Sequence, residues 1–380
     1  MHKQLIRTLA CIFLVCLIFQ PLPVSARSMA DLPKGTILYV KPSGVGDCSS
    51  WANACKLYTA LAAANPTDQV WVAAGTHKPK TADPDTRLYT FLLESGVAIY
   101  GGFAGTETAL DQRNWVTNIT ILSGDIGTAG VETDNTYHVV VGSGVISTAI
   151  LDGFTIQDGY ANGTEETLSD GAGMFLTASS PTLKNLIIAD NMVIEGSGGG
   201  IYAYQSDLTM ENVTITGNTA NSGGGLFTEE TDSTLTNVLF DNNSALFWGG
   251  GMQNEYNGHA DLTNVTFTNN STTGAPGYVQ GKGGGMANLW YSSFSLENVT
   301  FDGNSAIEHG GGMYNWHASG DGTNVTFSGN SAEYGGGMFI WQNNGALTLS
   351  NTTFSQNTAS YVGGGLYNSD GSNTDLTDID

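Results

Sequence analysis

The strongest constraint on the fold of this chain is a glycine-rich repeat that fills its second half. A Gly-x-Gly or Gly-Gly-Gly triplet followed by an apolar residue recurs at steps of 27, 25, 26, 34, 27, 25 and 28 residues. The copies begin at Gly171, Gly198, Gly223, Gly249, Gly283, Gly310, Gly335 and Gly363. Because a unit of this length is too small to bury its own apolar face, successive units must stack on one another.

Two asparagine motifs recur in phase with the glycines. One is mostly Asn-Val-Thr-Phe, as at 264–267, and the other places an asparagine three residues after the last position of the first. Each unit also contains three short alternating segments bounded by turn residues, such as 201–204, 207–210 and 213–216. Three strands and three turns in one unit predict one coil of a parallel β-helix, with coils about 4.8 Å apart.

Stacking predicts which side chains enter the core. The apolar residue after each glycine triplet should point inward, and so should the phenylalanine of the asparagine motif. These rows include Met252, Met286, Met313 and Met338, and Phe267, Phe301 and Phe327. Aligned asparagines should hydrogen-bond to one another from coil to coil. The step of 34 residues predicts a looped-out insertion at 271–282.

The composition narrows the range of functions. The chain has 12 Lys plus Arg against 35 Asp plus Glu, which gives a formal net charge of −23. Nucleic-acid binding requires a basic surface that displaces counterions from phosphates, so we expect no nucleic-acid partner. The same charge disfavours binding to an anionic membrane surface.

Residues 1–26 have the pattern of a secretory signal peptide. Lys3 and Arg7 precede an apolar stretch of 11 residues, and a small-x-small site follows at 24–26. A membrane anchor is the alternative, but a bilayer span needs about 20 apolar residues. We therefore expect cleavage after Ala26 and a secreted or cell-surface protein, either free or at the outer membrane.

Two cysteines follow the predicted signal peptide, at Cys48 and Cys55. In an exported chain these two residues most simply form a disulfide, and the alternative is a pair of buried free thiols. A zinc site would need more ligands than this pair supplies, so we expect no metal there.

The rest of the chain divides into two regions at about residue 150. Residues 31–150 predict an N-terminal cap and the first coils, because strand-like runs occur there without the glycine repeat. Within them, residues 51–64 have apolar side chains at helical spacing and predict a helix that caps the open end of the β-helix. Residues 151–380 are the repeat region, and 375–378 resemble the second strand of another coil. We expect a longer protein, in which any membrane anchor is a separate or missing segment.

The repeat motifs resemble those of a known family. GGGM at Gly335 and FSGN at Phe327 resemble the repeat of the chlamydial polymorphic outer membrane proteins and the wider pectin-lyase-like superfamily. YVKPSG at Tyr39 and YGGFAGTET at Tyr100 resemble the start of secreted bacterial β-helix repeat proteins. The resemblance implies an all-β, single-stranded, right-handed parallel β-helix that is exported or surface-exposed. Right-handedness also agrees with the rule for parallel crossovers.

The same resemblance makes a polysaccharide-active enzyme an alternative, because the superfamily includes pectate lyases and polygalacturonases. A lyase needs a basic residue to take a proton, yet Lys184 and Lys282 are the only basic residues after position 150, against 24 Asp plus Glu. The adjacent aspartates and the Gly-His-Gly triplet of a polygalacturonase do not occur. We therefore expect no catalytic residues and no cofactor, and interpret the chain as a non-catalytic, adhesin-like protein or surface scaffold. A polysaccharide lyase, a glycoside hydrolase or a carbohydrate-binding module is the alternative.

Aromatic residues at the end of the glycine motifs are the candidate binding site. The set consists of Tyr256, Trp290, Trp316 and Trp341, flanked by Glu255. Aligned rings suit an extracellular protein or a glycan as partner, or else they shield the turns by packing on one another. A second outward row, directly before the glycines, consists of Trp248, Lys282, His309 and Tyr334. An acidic turn at 370–375 has the oxygen ligands that Ca²⁺ takes, with a solvated loop as the alternative.

Overall fold

The computed structural model describes residues 35–80, 86–275, 280–341, 346–369 and 374–379. The predicted signal peptide at 1–26 lies outside these residues, as do 370–373 of the predicted calcium turn. Gly35–Asp380 form one compact unit. It consists of three sheets, and the strand pairings of its described residues are parallel.

Within each sheet, strands from successive coils lie side by side. Sheet 1 contains Ile37–Val40, Gln69–Ala73, Gly75–His77, Ala98–Phe103, Thr120–Ser123, Ile150–Asp152, Thr155–Gln157, Thr182–Lys184, Ile187–Ala189, Leu208–Thr216, Asp232–Asp241, His259–Thr263, Thr266–Thr268, Ser293–Asp302, Ser319–Ser328, Leu347–Ser355 and Thr374–Ile379. Sheet 2 contains Phe91–Leu92, Val140–Ser143, Met174–Thr177, Ile201–Tyr204, Leu226–Glu229, Met252–Glu255, Met286–Leu289, Met313–Trp316, Met338–Trp341 and Leu366–Ser369. Sheet 3 contains Tyr160–Ala161, Met192–Val193, Thr219–Ser222, Ser244–Trp248, Ser271–Thr272, Ser305–Ala306, Ser331–Tyr334 and Thr358–Val362.

Each repeat unit is one coil that visits sheets 2, 1 and 3 in turn. In the coil that begins at Ile201, the predicted segments 207–210 and 213–216 form the single strand Leu208–Thr216. The strand bends at Asn212, which has φ 56°, a left-handed conformation that asparagine tolerates better than most residues. The sequence pattern did not predict the sheet 3 strand, Thr219–Ser222.

The predicted core rows are buried. Met252, Met286, Met313 and Met338 have no exposed surface, and neither do Phe240, Phe267, Phe301 and Phe327. Consecutive rings of the row from Phe240 to Phe354 have centroids 4.6 to 4.9 Å apart and planes within 5° of parallel. The strand spacing alone therefore places each ring in contact with the next.

The two predicted asparagine rows form hydrogen-bonded ladders along the coils. In the buried ladder, each Nδ2 donates to the Oδ1 of the asparagine in the next coil at 2.9 to 3.0 Å. Its members are Asn191, Asn218, Asn243, Asn270, Asn304, Asn330 and Asn357. In the exposed ladder, from Asn185 to Asn351, each Nδ2 donates to the preceding coil instead.

Close contact between coils explains the glycine triplets. Gly283 has φ 67°, a conformation that favours glycine. A Cβ added at Gly284 would lie 2.5 Å from the carbonyl oxygen of Gly311 in the next coil. A larger residue there would force adjacent coils apart.

The N-terminal helix is shorter than predicted. It spans Leu57–Ala63 rather than 51–64, and it packs against the strands Ile37–Val40, Gln69–Ala73 and Phe91–Leu92. The preceding residues form a turn, because the Cys48 backbone donates to Asn53 and the Cys55 backbone donates to Tyr39. Its role as a cap stays a prediction. A four-residue helix, Glu166–Ser169, and the 3₁₀ turns Thr86–Leu88, Leu110–Gln112 and Glu132–Asp134 complete the described elements.

The cysteine prediction is confirmed, because Cys48 and Cys55 form a disulfide with their Cα atoms 4.8 Å apart. Both residues are buried in the main core beside Leu57 of the helix. The sheets continue through the predicted domain boundary at residue 150, where the strand Ile150–Asp152 pairs with Ala98–Phe103 on one side and Thr182–Lys184 on the other.

Candidate functional site

The aromatic residues predicted as a binding site lie along one corner of the β-helix, where sheet 2 turns into sheet 1. Trp316 and Trp341 occupy the same register in adjacent strands. The register partner of Trp316 in the preceding coil is Leu289, so Trp290 lies one position further along the turn. Trp290 and Tyr256 both have left-handed backbones, with φ 45° and 49°. The Trp290 ring contacts the ring of Tyr256 on one side and that of Trp316 on the other.

The four rings form a continuous line, which we call the aromatic ridge (Tyr256, Trp290, Trp316 and Trp341). Successive centroids are 4.8, 5.4 and 5.7 Å apart. The first and last pairs are nearly parallel, at 13° and 18°, whereas the central pair is tilted by 54°. Stacked carbon atoms touch at about 3.5–4.0 Å, so the nearly parallel rings must be offset. Each ring of these pairs therefore covers only part of its neighbour.

The second predicted row is aligned as well. Single parallel β-bridges between backbones of adjacent coils pair Trp248 with Lys282, Lys282 with His309, and His309 with Tyr334. Thr273 and Gly274 still donate backbone hydrogen bonds to Ala245 and Leu246 of the preceding coil, and Lys282 is in register with Trp248. The extra residues of the predicted insertion therefore fall between Gly274 and Lys282 in the sequence. The two rows meet over sheet 2, where the rings of Trp248 and Trp290 are 6.0 Å apart.

The meeting of the two rows creates an apolar cluster on the outer face of sheet 2, separate from the main core. Its buried members are Ala287, Leu289, Tyr314 and Phe339, which point away from the main core. Three ridge rings and three further rings pack against them and are partly buried: Trp290, Trp316, Trp341, Trp248, Tyr334 and Tyr367. The repeat pattern did not predict this cluster, although the alternation of Met313, Tyr314 and Asn315 places Tyr314 on the outer face.

A charged group lies within this cluster. The Lys282 ammonium is 3.5 Å from Glu308, and it lies 5.6 Å from the ring centre of Tyr314 and 5.9 Å from that of Trp341. Burial and the nearby Lys282 charge lower the pKa of His309 to about 4. Burial, followed by the charge of Glu308, raises the pKa of the Tyr314 hydroxyl. At neutral pH the cluster therefore contains a neutral imidazole and a neutral phenol beside one ion pair.

Several polar atoms of this face are buried without a hydrogen-bond partner among the described residues. They include the Tyr314 hydroxyl, Trp316 Nε1 and Gln253 Oε1. The first two can donate hydrogen bonds and the third can accept them.

The predicted flanking residue Glu255 is 6% exposed. Its Oε2 accepts a hydrogen bond of 2.5 Å from Gln253 Nε2. In the preceding strand, Glu229 occupies the same register position as Glu255. Next to the aromatic ridge, on the side of the N-terminal coils, the same corner therefore carries a pair of aligned carboxylates.

Neither a metal centre nor a membrane span is found in the part of the chain that the structure describes. No three His, Cys, Asp or Glu side chains of the described residues are grouped to hold a metal ion. Within the same residues, no helix has the length and apolar character needed to cross a bilayer.

Comparison with known proteins supports the fold. Residues 351–369 match the family model for the Chlamydia polymorphic membrane protein (Chlamydia_PMP) repeat. The chain is similar to pectate lyase Pel9A, with a TM-score of 0.52 and 12% identity over 92% of this chain and 80% of that chain. It is also similar to the catalytic unit of the thermostable GH87 alpha-1,3-glucanase from Streptomyces thermodiastaticus strain HF3-3, with a TM-score of 0.40 and 14% identity over 94% of this chain and 70% of that chain. A comparison with curated protein sequences found no match.

The sequence-based expectation of the fold is therefore confirmed. Parallel sheets of stacked coils and the likeness to pectate lyase establish the fold class. The chain folds as a right-handed parallel β-helix, as pectate lyase does, and residues 351–369 resemble the polymorphic membrane protein repeat.

Proposed function

We propose that this protein is displayed outside the cell and binds a partner without catalysis, as an adhesin-like protein or surface scaffold. The predicted signal peptide at 1–26 supports export. The polymorphic membrane protein repeat at 351–369 supports a location at the cell surface or outer membrane. Sparse basic residues and the lack of polygalacturonase motifs favour a non-catalytic role.

The observation that carries the binding proposal is the aromatic ridge. One ring from each of four successive coils lies on the same corner, with centroids 4.8 to 5.7 Å apart. Tryptophan and tyrosine are the side chains most enriched at energetic hot spots of interfaces. A rigid β-helix holds them in place before binding, which reduces the entropy lost on association.

The test is binding of the chain that starts after Ala26 to arrays of glycans and extracellular proteins. We expect ligands whose binding weakens in the double variant Trp316→Ala, Trp341→Ala. The control is Tyr361→Ala, which removes a ring that is 72% exposed on sheet 3, away from the ridge. Circular dichroism should show that each variant retains the β-helix. Full affinity in the double variant would refute this site.

A polysaccharide-active enzyme or a carbohydrate-binding module is the second candidate. Similarity to a pectate lyase across 92% of the chain supports it. So does the pair formed by Lys282 and Glu308, because it places a basic group and a carboxylate beside aromatic rings. Glycan hits should be incubated with the protein and analysed for cleavage. Cleavage that is lost in Lys282→Met would replace the non-catalytic proposal.

A further inference from the structure

We propose that the partner of the aromatic ridge is a basic segment of a polypeptide, rich in arginine or lysine. It would dock along the corner formed by the turns at 204–207, 229–232, 255–259, 289–293 and 316–319. This inference rests on the proposed function, because it assigns a class of partner to the same face.

The corner has an acidic half and an aromatic half. In the earlier coils its turns expose the carboxylates of Asp207, Glu230 and Asp232. In the later coils the same corner carries Trp290 and Trp316, both partly exposed. An extended segment that follows the corner would thus meet carboxylates first and rings afterwards.

Aligned carboxylates strengthen the acidic half. Glu229 and Glu255 occupy equivalent positions in adjacent parallel strands, which lie about 4.8 Å apart. These two carboxylates add to the negative potential that a basic segment meets at this corner.

The chain provides little positive charge of its own in this region. No lysine or arginine occurs at 185–281 or at 283–380. Lys282 contacts Glu308 at 3.5 Å, and its ammonium lies 5.9 Å from the centre of the Trp341 ring. That contact shows that the ridge accepts a cation at a ring. The acidic field of the remaining corner attracts basic partners and repels acidic ones.

The ring geometry favours a polypeptide over a sugar. Stacking of a sugar requires an uncovered ring face, whereas the Tyr256–Trp290 and Trp316–Trp341 pairs partly cover one another. A guanidinium group or an ammonium group needs only a part of a ring and a nearby carboxylate. Acidic polysaccharides are disfavoured by the same carboxylates that attract arginine.

The experiment measures binding of a fluorescent arginine–glycine repeat peptide to the chain that starts after Ala26. A glutamate–glycine peptide of equal length is the charge control, and a neutral glycan array is run in parallel. We expect only the arginine peptide to bind, with an affinity that falls as salt is raised. The pair Glu230→Gln, Asp232→Asn and the pair Trp316→Ala, Trp341→Ala should each weaken binding by about tenfold or more.

The control variant is Glu297→Gln, which removes an exposed carboxylate from the outer face of sheet 1. It should leave the affinity unchanged. If all three variants bind the arginine peptide equally well, binding is non-specific attraction to an acidic protein and the inference is wrong. It is also wrong if the peptide does not bind at low salt. If neutral glycans bind through the ridge and the peptide does not, the partner class is wrong but the proposed function stands.

Discussion

Loss of one rung of the buried asparagine ladder should destabilise the coils around it strongly. Asn304 Oδ1 accepts hydrogen bonds of 3.0 Å from both the backbone nitrogen and Nδ2 of Asn270. Its Nδ2 donates to the Phe267 carbonyl at 2.9 Å and to Asn330 Oδ1 at 3.0 Å. The residue has no exposed surface. Asn304→Ala therefore removes four hydrogen bonds that water cannot readily replace.

The magnitude follows from these four bonds. Each contributes about 0.5–1.5 kcal/mol net, so we expect Asn304→Ala to lower the free energy of unfolding by roughly 2–6 kcal/mol. In a repeat protein each coil contacts only its neighbours, so the loss should be concentrated near the substituted coil. Amide hydrogen exchange should show faster opening of residues 285–330 than of the coils before 200.

The exposed ladder provides the matched control. Asn298 donates to Asn264 at 3.2 Å and accepts from Asn324 at 2.9 Å, but its side chain is exposed. Asn298→Gly removes the amide and keeps the left-handed backbone available, since Asn298 has φ 56°. Because water can replace the lost bonds, we expect a cost below about 1 kcal/mol. An equal loss of stability in the two variants would refute the reasoning from burial.

Three further predictions concern the core, the pH response and the disulfide. Phe301→Ala should lower the free energy of unfolding by about 3–5 kcal/mol in urea titrations, because the ring is buried between two parallel neighbours. Phe301→Leu should lower it by less, and equal losses in the two variants would contradict the role of stacking. The folded pKa of His309 is about 4 against about 6.5 when unfolded, so its contribution to stability is complete above pH 6.5 and is lost as the pH falls from about 6.5 toward 4. Urea titrations at several pH values should show a smaller acid loss for His309→Phe than for the native chain. Thiol titration of the unreduced, denatured chain that starts after Ala26 should find Cys48 and Cys55 unreactive, and two free thiols would contradict the bridge.

Local spacing was enough to predict the β-helix and its inward rows. Glycine triplets recur every 25 to 28 residues, apart from one step of 34, and stay in phase with the asparagine motifs. This spacing allows only stacked coils. Once the coils stack, strand alternation places Met286 and Phe301 inside and Lys282 and Trp316 outside. The disulfide was predictable for a similar reason, because two cysteines in an exported chain have few alternatives.

Other features depended on contacts between distant residues. Backbone bonds to Asn53 and Tyr39 hold the residues before Leu57 in a turn and shorten the predicted helix. The pattern indicated two strands at 207–210 and 213–216, but the structure has one strand that bends at Asn212. The residues on both sides of the bend pair with the neighbouring coil, so the strand is continuous.

The candidate site shows the same division most clearly. The spacing of the repeat alone places Trp316 and Trp341 in one register. The approach of Trp248 to Trp290 and of Lys282 to Trp341, above the buried Tyr314, appears only in the folded coils. A repeat specifies where each Cα lies along the coil, but the meeting of side chains from opposite edges depends on their lengths and on the space left by small neighbours such as Ala287.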